Sequence, residues 1–336
     1  MSVTIRSWNV EVPGQRVGGD GWQIRFHQYT GNRPGPATAF VAGINGDKPL
    51  AVLALHELGR RLANTDMAGT VLIVPAANPF GLHGGMRHNP DLIEINRRFP
   101  GKAYGFLTDQ LAHTLIGTLL EHVDCVIDLH SGTPERALHY TYDYGDLDLS
   151  TSFGYLPVVV DRHVPGQLSQ AVVAAGGKSF LAEFGGAEFN DTRPGVEGCL
   201  NTLRYRGHLA DERTGPDSVP VLDRVKVFLS SHTGALDGRY GPPDLGELVE
   251  PGAIGWITDV VTDKRIEQFF VEGPGERAGT GPGFDLWGPG PEQAFEVTDA
   301  PLLMLAPSRP AMVSPGEFTY AVGWVREWLK APGAGS

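Results

Sequence analysis

Cysteine is nearly absent from this chain of 336 residues, which contains only Cys125 and Cys199. Two isolated cysteines make neither a disulfide framework nor a cysteine-based zinc site. Cys125 lies within the apolar run Val-Asp-Cys-Val-Ile, so we interpret it as a buried, unreactive thiol. Any chemistry should therefore be carried by other residue types.

Long hydrophobic runs are also missing. No segment approaches the ~20 apolar residues that a membrane-spanning helix needs. The N-terminal stretch MSVTIRSWNVEV lacks the apolar centre of a signal peptide. We therefore predict a cytoplasmic protein without a membrane partner.

Positive charge is scarce, with 27 Lys and Arg against 39 Asp and Glu and a formal net charge of -12. A surface this acidic argues against nucleic acid or an anionic membrane as a partner. It does not argue against a small carboxylate, because a local group of arginines outweighs distant, screened charges. The oligomeric state is left open.

The chain contains apolar strand-like segments that alternate with helical segments. Leu50, Ala54, Leu58 and Leu62, for example, recur at helical spacing after Pro49. Strands are predicted at 3–12, 22–30, 37–42, 70–75, 123–129, 156–160 and 179–184, and helices at 49–62, 103–121, 165–175 and 195–211. Apolar strands separated by helices predict an α/β fold with a mixed, mostly parallel sheet that helices flank.

The composition changes after about residue 215, where glycine and proline become frequent. Short β-like segments recur there, at 225–229, 255–261, 266–270 and 302–305. We therefore predict an α/β domain over 1–215 and a small β-rich domain over 216–336. Residues 273–291 are predicted to form a long loop.

Polar side chains follow the apolar strands in four separate segments. In chain order they are Asn45 with Lys48, then Arg87 with Asn96 and Arg97, then His130, then Glu183. In parallel sheets the ligand site lies at the carboxyl ends of the strands. We therefore predict that these side chains converge on one cavity.

Each residue type has a functional and a structural interpretation. A histidine that ends a strand can bind a metal, although a hydrogen-bonded structural histidine is more common. Several guanidinium groups on one loop suit carboxylate binding and oxyanion stabilisation, or merely a solvated loop. Glu183, flanked by apolar residues, is a candidate general acid or base, or a paired structural carboxylate.

In this order, the segments Gly-Ile-Asn-Gly-Asp-Lys (43–48), Asn-Arg (96–97), Asp-Leu-His (128–130) and Ala-Glu-Phe-Gly-Gly (182–186) resemble the aspartoacylase/succinylglutamate desuccinylase branch of the zinc carboxypeptidases. The resemblance covers about residues 37–190. It implies a zinc-carboxypeptidase-like domain followed by a small β domain, and a small carboxylate substrate.

The resemblance also implies roles for individual residues. His130 matches a zinc ligand, and Glu183 matches the carboxylate that activates water and then protonates the leaving amine. Arg87 matches the arginine that polarises the scissile carbonyl. Asn96 and Arg97 match the pair that binds the substrate carboxylate.

The first zinc motif departs from the family pattern. Asn45 stands where the family has a histidine ligand, and Lys48 stands where it has a glutamate ligand. Asparagine is a poor zinc ligand and an ammonium repels a dication. Only His130 of the three matched ligands remains, so zinc is possible but not expected to bind tightly.

Nearby residues offer weak substitutes for the lost ligands. Asp47 is expected to point elsewhere, and His56 and Glu57 lie too far along the helix. His83 and His88 could approach from the arginine loop.

Three functions remain open. The favoured one is hydrolysis of the amide or ester bond of a small acylated amino acid or similar carboxylate, with Glu183 as base and with Arg87 and Lys48 stabilising the oxyanion. The second is a non-catalytic small-molecule-binding protein, indicated by Asn45 and Lys48. The third is metal-free ligation, lyase or rearrangement chemistry with Lys48 as base. Lys48 could instead pair with Glu183, which would make Glu183 structural.

Overall fold

The computed structural model describes residues 3–15, 21–160, 164–187, 190–241, 244–271, 301–307, 311–315 and 317–333. The predicted loop at 273–291 lies outside these residues. None of the helices in the described part is long and apolar enough to cross a membrane.

The first half of the chain alternates strands and helices. Its elements are β1 (Thr4–Gln15), β2 (Gly21–Thr30), β3 (Arg33–Val41), α1 (Pro49–Leu62), β4 (Ala68–Val74), α2 (Pro79–Gly84), a 3₁₀ turn (Ile95–Arg97), α3 (Leu107–Leu120), β5 (Cys125–Ser131), β6 (Ala137–Asp143), α4 (Leu147–Ser152) and β7 (Val158–Val159).

The second half becomes all-β after two further helices. Its elements are α5 (Leu168–Ala174), β8 (Lys178–Gly186), α6 (Arg193–Tyr205), β9 (Ser218–Leu229), β10 (Gly234–Gly238), β11 (Gly252–Asp259), β12 (Lys264–Val271), β13 (Leu302–Ala306), β14 (Ala311–Val313) and β15 (Phe318–Lys330).

Eleven of the described strands form one mixed sheet in the order β1-β2-β4-β3-β5-β8-β6-β7-β9-β15-β13. Its central strands β4, β3, β5 and β8 run parallel. Antiparallel β6 pairs with β8 on the far side of this block. The predicted α/β class is confirmed, and the carboxyl ends of the central strands share one edge.

Helices cover both faces of the sheet, because the central strands are apolar on both sides. On one face, Phe40 and Ile127 pack with Leu55 of α1 and Leu203 of α6. On the other face, residues of α3 and α5 pack against β3, β4 and β5. Cys125 is fully buried, and burial raises the pKa of its thiol to about 12, as expected for an unreactive cysteine.

The strand register places the candidate site residues on one face. His130 of β5 lies opposite Glu183 of β8, which in turn lies opposite Tyr140 of β6. Residues in register on neighbouring strands project to the same side, and every second residue repeats that side. Arg136, immediately before β6, and Leu138 therefore share the face of Glu183.

The strands after residue 216 divide between two sheets. β9, β13 and β15 extend the large sheet, whereas β10, β11, β12 and β14 form a separate antiparallel sheet of four strands. Phe269 and Tyr320 pack between the two sets in a common core. The second sheet matches the β-rich C-terminal region predicted, and the division into domains at residue 215 remains a prediction.

Several elements were not predicted from the sequence. The stretch 78–101, where no helix or strand was predicted, contains α2 and the 3₁₀ turn, and the stretch between β5 and β7 contains β6 and α4. The helix predicted at 195–211 ends at Tyr205, where Arg206 and Gly207 close it through bonds to Thr202 and Arg204. β10, β14 and β15 were also missed, and of these β15 contributes to the site.

Candidate functional site

A cavity of about 680 Å³ opens at the carboxyl edge of the central strands. It brings together all seven residues singled out from the sequence, and these are Asn45, Lys48, Arg87, Asn96, Arg97, His130 and Glu183. The predicted convergence is therefore found. The chemical roles assigned to the seven residues remain proposals.

The loop that follows β3 is held by one close backbone contact, at Gly46, and by two hydrogen bonds. A Cβ on Gly46 would lie 1.9 Å from the carbonyl oxygen of Gly81, so only glycine fits there. The Gly46 N–H donates to the carbonyl of Met86 at 2.9 Å, and the Asn78 amide donates to the carbonyl of Ile44 at 3.0 Å. Lys48 is thereby held at the cavity wall, one residue before α1 begins.

Lys48 forms a buried ion pair with Glu183. Its Nζ donates to Oε1 at 2.8 Å and to Oε2 at 3.0 Å. The side chains are only 6% and 9% exposed, so water screens the pair little. The ammonium therefore stands beside both oxygens of the carboxylate expected to act as base.

A hydrogen-bonded group surrounds His130. The Asn96 amide lies 3.2 Å from His130 Nε2 and donates to Asp128 Oδ2 at 3.4 Å, while its Oδ1 accepts from the Leu168 N–H at 2.9 Å. His130 Nε2 also lies 3.0 Å from Asp128 Oδ1. The side-chain amide nitrogen and oxygen of Asn96 are thus both engaged within the protein, and the His130 Nε2 faces a carboxylate.

Arg87 and Arg97 share one carboxylate, Glu94. Arg87 donates to both Glu94 oxygens at 2.8 and 3.2 Å, and Arg97 lies 3.4 Å from Oε1. Burial alone would raise the pKa of Glu94, but the two guanidinium charges outweigh burial and leave it lowered. Arg97 also donates to the backbone carbonyl of Asn96 at 2.6 Å, and this bond orients the Arg97 guanidinium.

The opposite wall comes from β6, β9 and β15, which sequence reasoning did not connect to the site. This wall consists of Arg136 and of six further side chains, which are Leu138, Tyr140, Val225, Val227, Phe318 and Ala321. Burial is the main cause that raises the pKa of Tyr140 well above its ordinary value, and the nearby Tyr142 and Glu183 raise it further. The cavity therefore has one charged side and one largely apolar side.

Glu94, Arg136 and Tyr140 are site residues that the sequence interpretation missed. A partial sequence signal existed for Glu94, which is one of only two acids between Arg87 and Arg97, the other being Asp91. Arg136 and Tyr140 gave no comparable signal, because their place depends on the pairing of β6 with β8.

The cavity walls carry a small positive charge within an acidic protein. Its cationic side chains are Lys48, Arg87, Arg97 and Arg136, and its carboxylates are Asp47, Glu94 and Glu183. These Lys, Arg, Asp and Glu side chains together leave one net positive charge, against a formal -12 for the chain. The cavity therefore suits a small anion better than any other charge class.

Comparison with known proteins identifies the family of the chain. The profile of the succinylglutamate desuccinylase/aspartoacylase catalytic domain matches residues 34–194. The chain is also 30% identical over 243 residues to the N-alpha-acetyl-L-2,4-diaminobutyric acid deacetylase of Halomonas elongata, covering 66% of this chain and 69% of that protein.

The chain belongs to the succinylglutamate desuccinylase/aspartoacylase family.

Solved structures of this family share the whole fold. A succinylglutamate desuccinylase/aspartoacylase from Rhodobacter sphaeroides superposes with a TM-score of 0.75 at 22% identity, over 97% of both chains. The product-bound ectoine utilization protein EutE (DoeB) from Ruegeria pomeroyi also gives a TM-score of 0.75, at 20% identity, over 97% of this chain and 96% of that one. The similarity includes the C-terminal β region.

The zinc expected of this family does not fit the residues present. Within the described ranges no three His, Cys, Asp or Glu side chains cluster closely enough to hold a metal ion. The ammonium of Lys48 lies where a ligand was expected and contacts Glu183. A dication at that position would meet a buried positive charge instead of a donor.

The residues considered as substitute zinc ligands do not complete a zinc site. Asp47 does line the cavity, contrary to the expectation that it points elsewhere. His83 is exposed and packs against Trp22 with ring centroids 5.4 Å apart. Neither His83 nor His88 lies in the cavity wall.

Proposed function

We propose that this protein is a metal-independent member of its family that hydrolyses the amide or ester bond of a small acylated amino acid or similar carboxylate. The observation that carries the proposal is the buried contact between Lys48 and Glu183 inside the cavity. The contact sets a fixed cation beside a carboxylate at the sheet edge where open α/β sheets bind their ligands.

The proposed chemistry uses only groups of this chain. A water molecule attacks the acyl carbon while Glu183 takes its proton, and Lys48 and Arg87 stabilise the oxyanion that forms. Glu183 then returns the proton to the leaving nitrogen or oxygen as the bond to the acyl carbon breaks. Glu183 must exchange part of its contact with Lys48 for water, so slow turnover is expected.

The remaining site residues are assigned supporting roles. Arg97 helps to attract an anionic substrate to the cavity, since Glu94 neutralises only one of the two charges on Arg87 and Arg97. Asn45 lines the cavity and donates weakly to the Arg87 carbonyl at 3.4 Å, which leaves its amide available to a ligand. Asn96, whose amide is already engaged, positions His130 and Asp128.

A panel of N-acetyl amino acids and simple esters tests this proposal, and it includes the substrate named for the Halomonas elongata relative. We expect slow turnover by protein purified without chelators, zinc well below one ion per chain, and no effect of EDTA. Glu183→Gln should lower the rate by about 100-fold or more, because general acid–base catalysis is lost. Glu57→Gln on the surface of α1 is the matched control and should leave the rate unchanged.

Loss of turnover in EDTA, or equal rates for wild type and Glu183→Gln, would contradict the proposal. The double variant Asn45→His/Lys48→Glu restores the family's ligand types beside His130. We expect it to bind about one zinc per chain, which elemental analysis measures independently of activity.

Ligand binding without turnover is the second candidate. It is favoured by the contact of both Glu183 oxygens with Lys48, because a carboxylate held by an ammonium is a weaker base. In that case the same panel would raise the melting temperature of the protein without any product appearing.

A further inference from the structure

Arg136 differs from every other cation in the cavity wall. Lys48 pairs with Glu183, and Arg87 and Arg97 share Glu94. Among the described residues no carboxylate lies within 4.0 Å of Arg136. A partly buried guanidinium without a counter-ion is an unusual arrangement, because burying an unpaired charge is costly.

The guanidinium of Arg136 is nevertheless held in a defined position. One Nη donates to the carbonyl of Phe318 at 2.6 Å, and the group lies over the Phe318 ring at 4.2 Å from its centroid. Its buried Nε has no hydrogen-bond partner in the described part of the chain. The guanidinium of Arg136 is thus held in one orientation, while its Nε–H has no hydrogen-bond partner among the described residues.

The electrostatic surroundings of Arg136 also favour an anion. Desolvation lowers its pKa to about 10, and although Tyr140 opposes the shift, the positive charge of Arg87 adds to it. Glu135 and Glu317 act on it only from a distance. A bound carboxylate would offset both the desolvation and the repulsion from Arg87.

An apolar path connects Arg136 with the Lys48–Glu183 pair. On β6, Leu138 lies between Arg136 and Tyr140 on the cavity face, and Tyr140 is opposite Glu183. Four residues of strand span about 13 Å. The apolar wall continues along the paired strands β15 and β9, where it is formed by Phe318, Ala321, Val227 and Val225.

We propose that Arg136 is a specificity-determining residue, which binds the carboxylate of a ligand whose apolar portion lies along the wall formed by β6, β9 and β15. A single carboxylate also matches the one net positive charge of the cavity, whereas a phosphate monoester carries more. The inference rests on the proposed use of the cavity for a carboxylate, and it does not require turnover.

Hexanoate and its uncharged amide, hexanamide, are the probes for this site, and binding is measured by calorimetry and by melting temperature. We expect wild type to bind hexanoate clearly more tightly than hexanamide. Arg136→Gln should weaken hexanoate binding by about tenfold or more, the loss typical of a charge-assisted hydrogen bond, and should leave hexanamide unchanged. Arg326→Gln, an exposed arginine of β15 paired with Glu327, is the matched control.

Two results would overturn the inference. One is equal binding of hexanoate and hexanamide by wild type. The other is unchanged hexanoate binding in Arg136→Gln, and loss of binding in Arg97→Gln would then assign the carboxylate to Arg97.

If Arg136→Gln does not fold, Arg136→Lys replaces it, since lysine keeps the charge but lacks the planar fork. We expect this variant to bind hexanoate at least about threefold more weakly. Because binding is measured without any reaction, hexanoate binding that depends on Arg136 can coexist with a failure of the proposed hydrolysis.

Discussion

At the scale of single residues, the charged side chains of the cavity form ion pairs of unequal composition. Glu94 pairs with two arginines, and Lys48 and Glu183 pair with each other, so that among the cationic side chains of the cavity only Arg136 lacks a carboxylate partner within the described residues. Removing one carboxylate from such a group leaves cations facing each other. Glu94 should therefore influence stability more than its place in an arginine-rich loop suggests.

Glu94→Gln should lower the free energy of unfolding by about 1–3 kcal/mol at neutral pH, because charge-assisted bonds to Arg87 are lost. The pKa of Glu94 in the folded protein is below its ordinary value of 4.5. Its stabilising effect is then complete above that value and disappears as the pH falls through the lower folded pKa. Urea unfolding at a series of pH values should show the difference between wild type and variant shrinking on the acid side.

A surface carboxylate provides the control for this pH series. Glu327 pairs with Arg326 on β15 and is 44% exposed, so Glu327→Gln should cost at most about 0.5 kcal/mol. A difference between wild type and Glu94→Gln that stays constant from neutral to acid pH would contradict the assigned charge state of Glu94.

At the scale of elements, the sequence predicts most of what lies at the ends of the central strands. Asn45, Lys48, His130 and Glu183 each follow or end an apolar segment, and strand direction alone brings such positions to one edge. Even the pairing of Lys48 with Glu183 was among the sequence-based alternatives, and the structure contains it.

The apolar side of the cavity could not be predicted in the same way. Arg136 reaches the site because β6 pairs antiparallel with β8, and Phe318 reaches it because β15 pairs with β9, about 90 residues earlier in the chain. Such pairings depend on long-range packing and have no local sequence signal. The sequence therefore indicated the charged wall and missed the wall that faces it.

The loop after β3 provides a test at this scale through two glycine substitutions. Gly46→Ala should destabilise the protein by about 1–3 kcal/mol, because its Cβ would meet the Gly81 carbonyl at 1.9 Å and push the Lys48 loop away from α2. Gly117→Ala should instead stabilise it by about 0.5–1 kcal/mol, since Gly117 is an exposed position within α3 with nothing within 4 Å of the new Cβ.

Denaturant unfolding of the two variants measures both signs in one experiment. Gly46→Ala should also weaken carboxylate binding, while Gly117→Ala should not change it. A Gly46→Ala variant as stable as wild type would show that the loop after β3 does not need this close approach.

At the scale of the whole molecule, the two predicted domains share a core. Leu138, Tyr142 and Leu181, which precede residue 215, pack in one buried cluster with Leu222 and Leu305, which follow it. β9 also pairs with β7 across the proposed boundary. The C-terminal region therefore supplies both part of the large sheet and one wall of the cavity.

A chain ending at residue 215 should consequently fail to fold as a stable unit. It would expose the apolar cluster around Leu138 and Leu181 and leave the edge of β7 unpaired. We expect the fragment 1–215 to aggregate, or to lose cooperative thermal unfolding in circular dichroism, and to bind no hexanoate. Co-expression with residues 216–336 should restore both properties, because the buried cluster can then form between the two fragments. A fragment 1–215 that melts cooperatively near the wild-type temperature would instead establish residue 215 as an independent domain boundary and assign the apolar wall an accessory role.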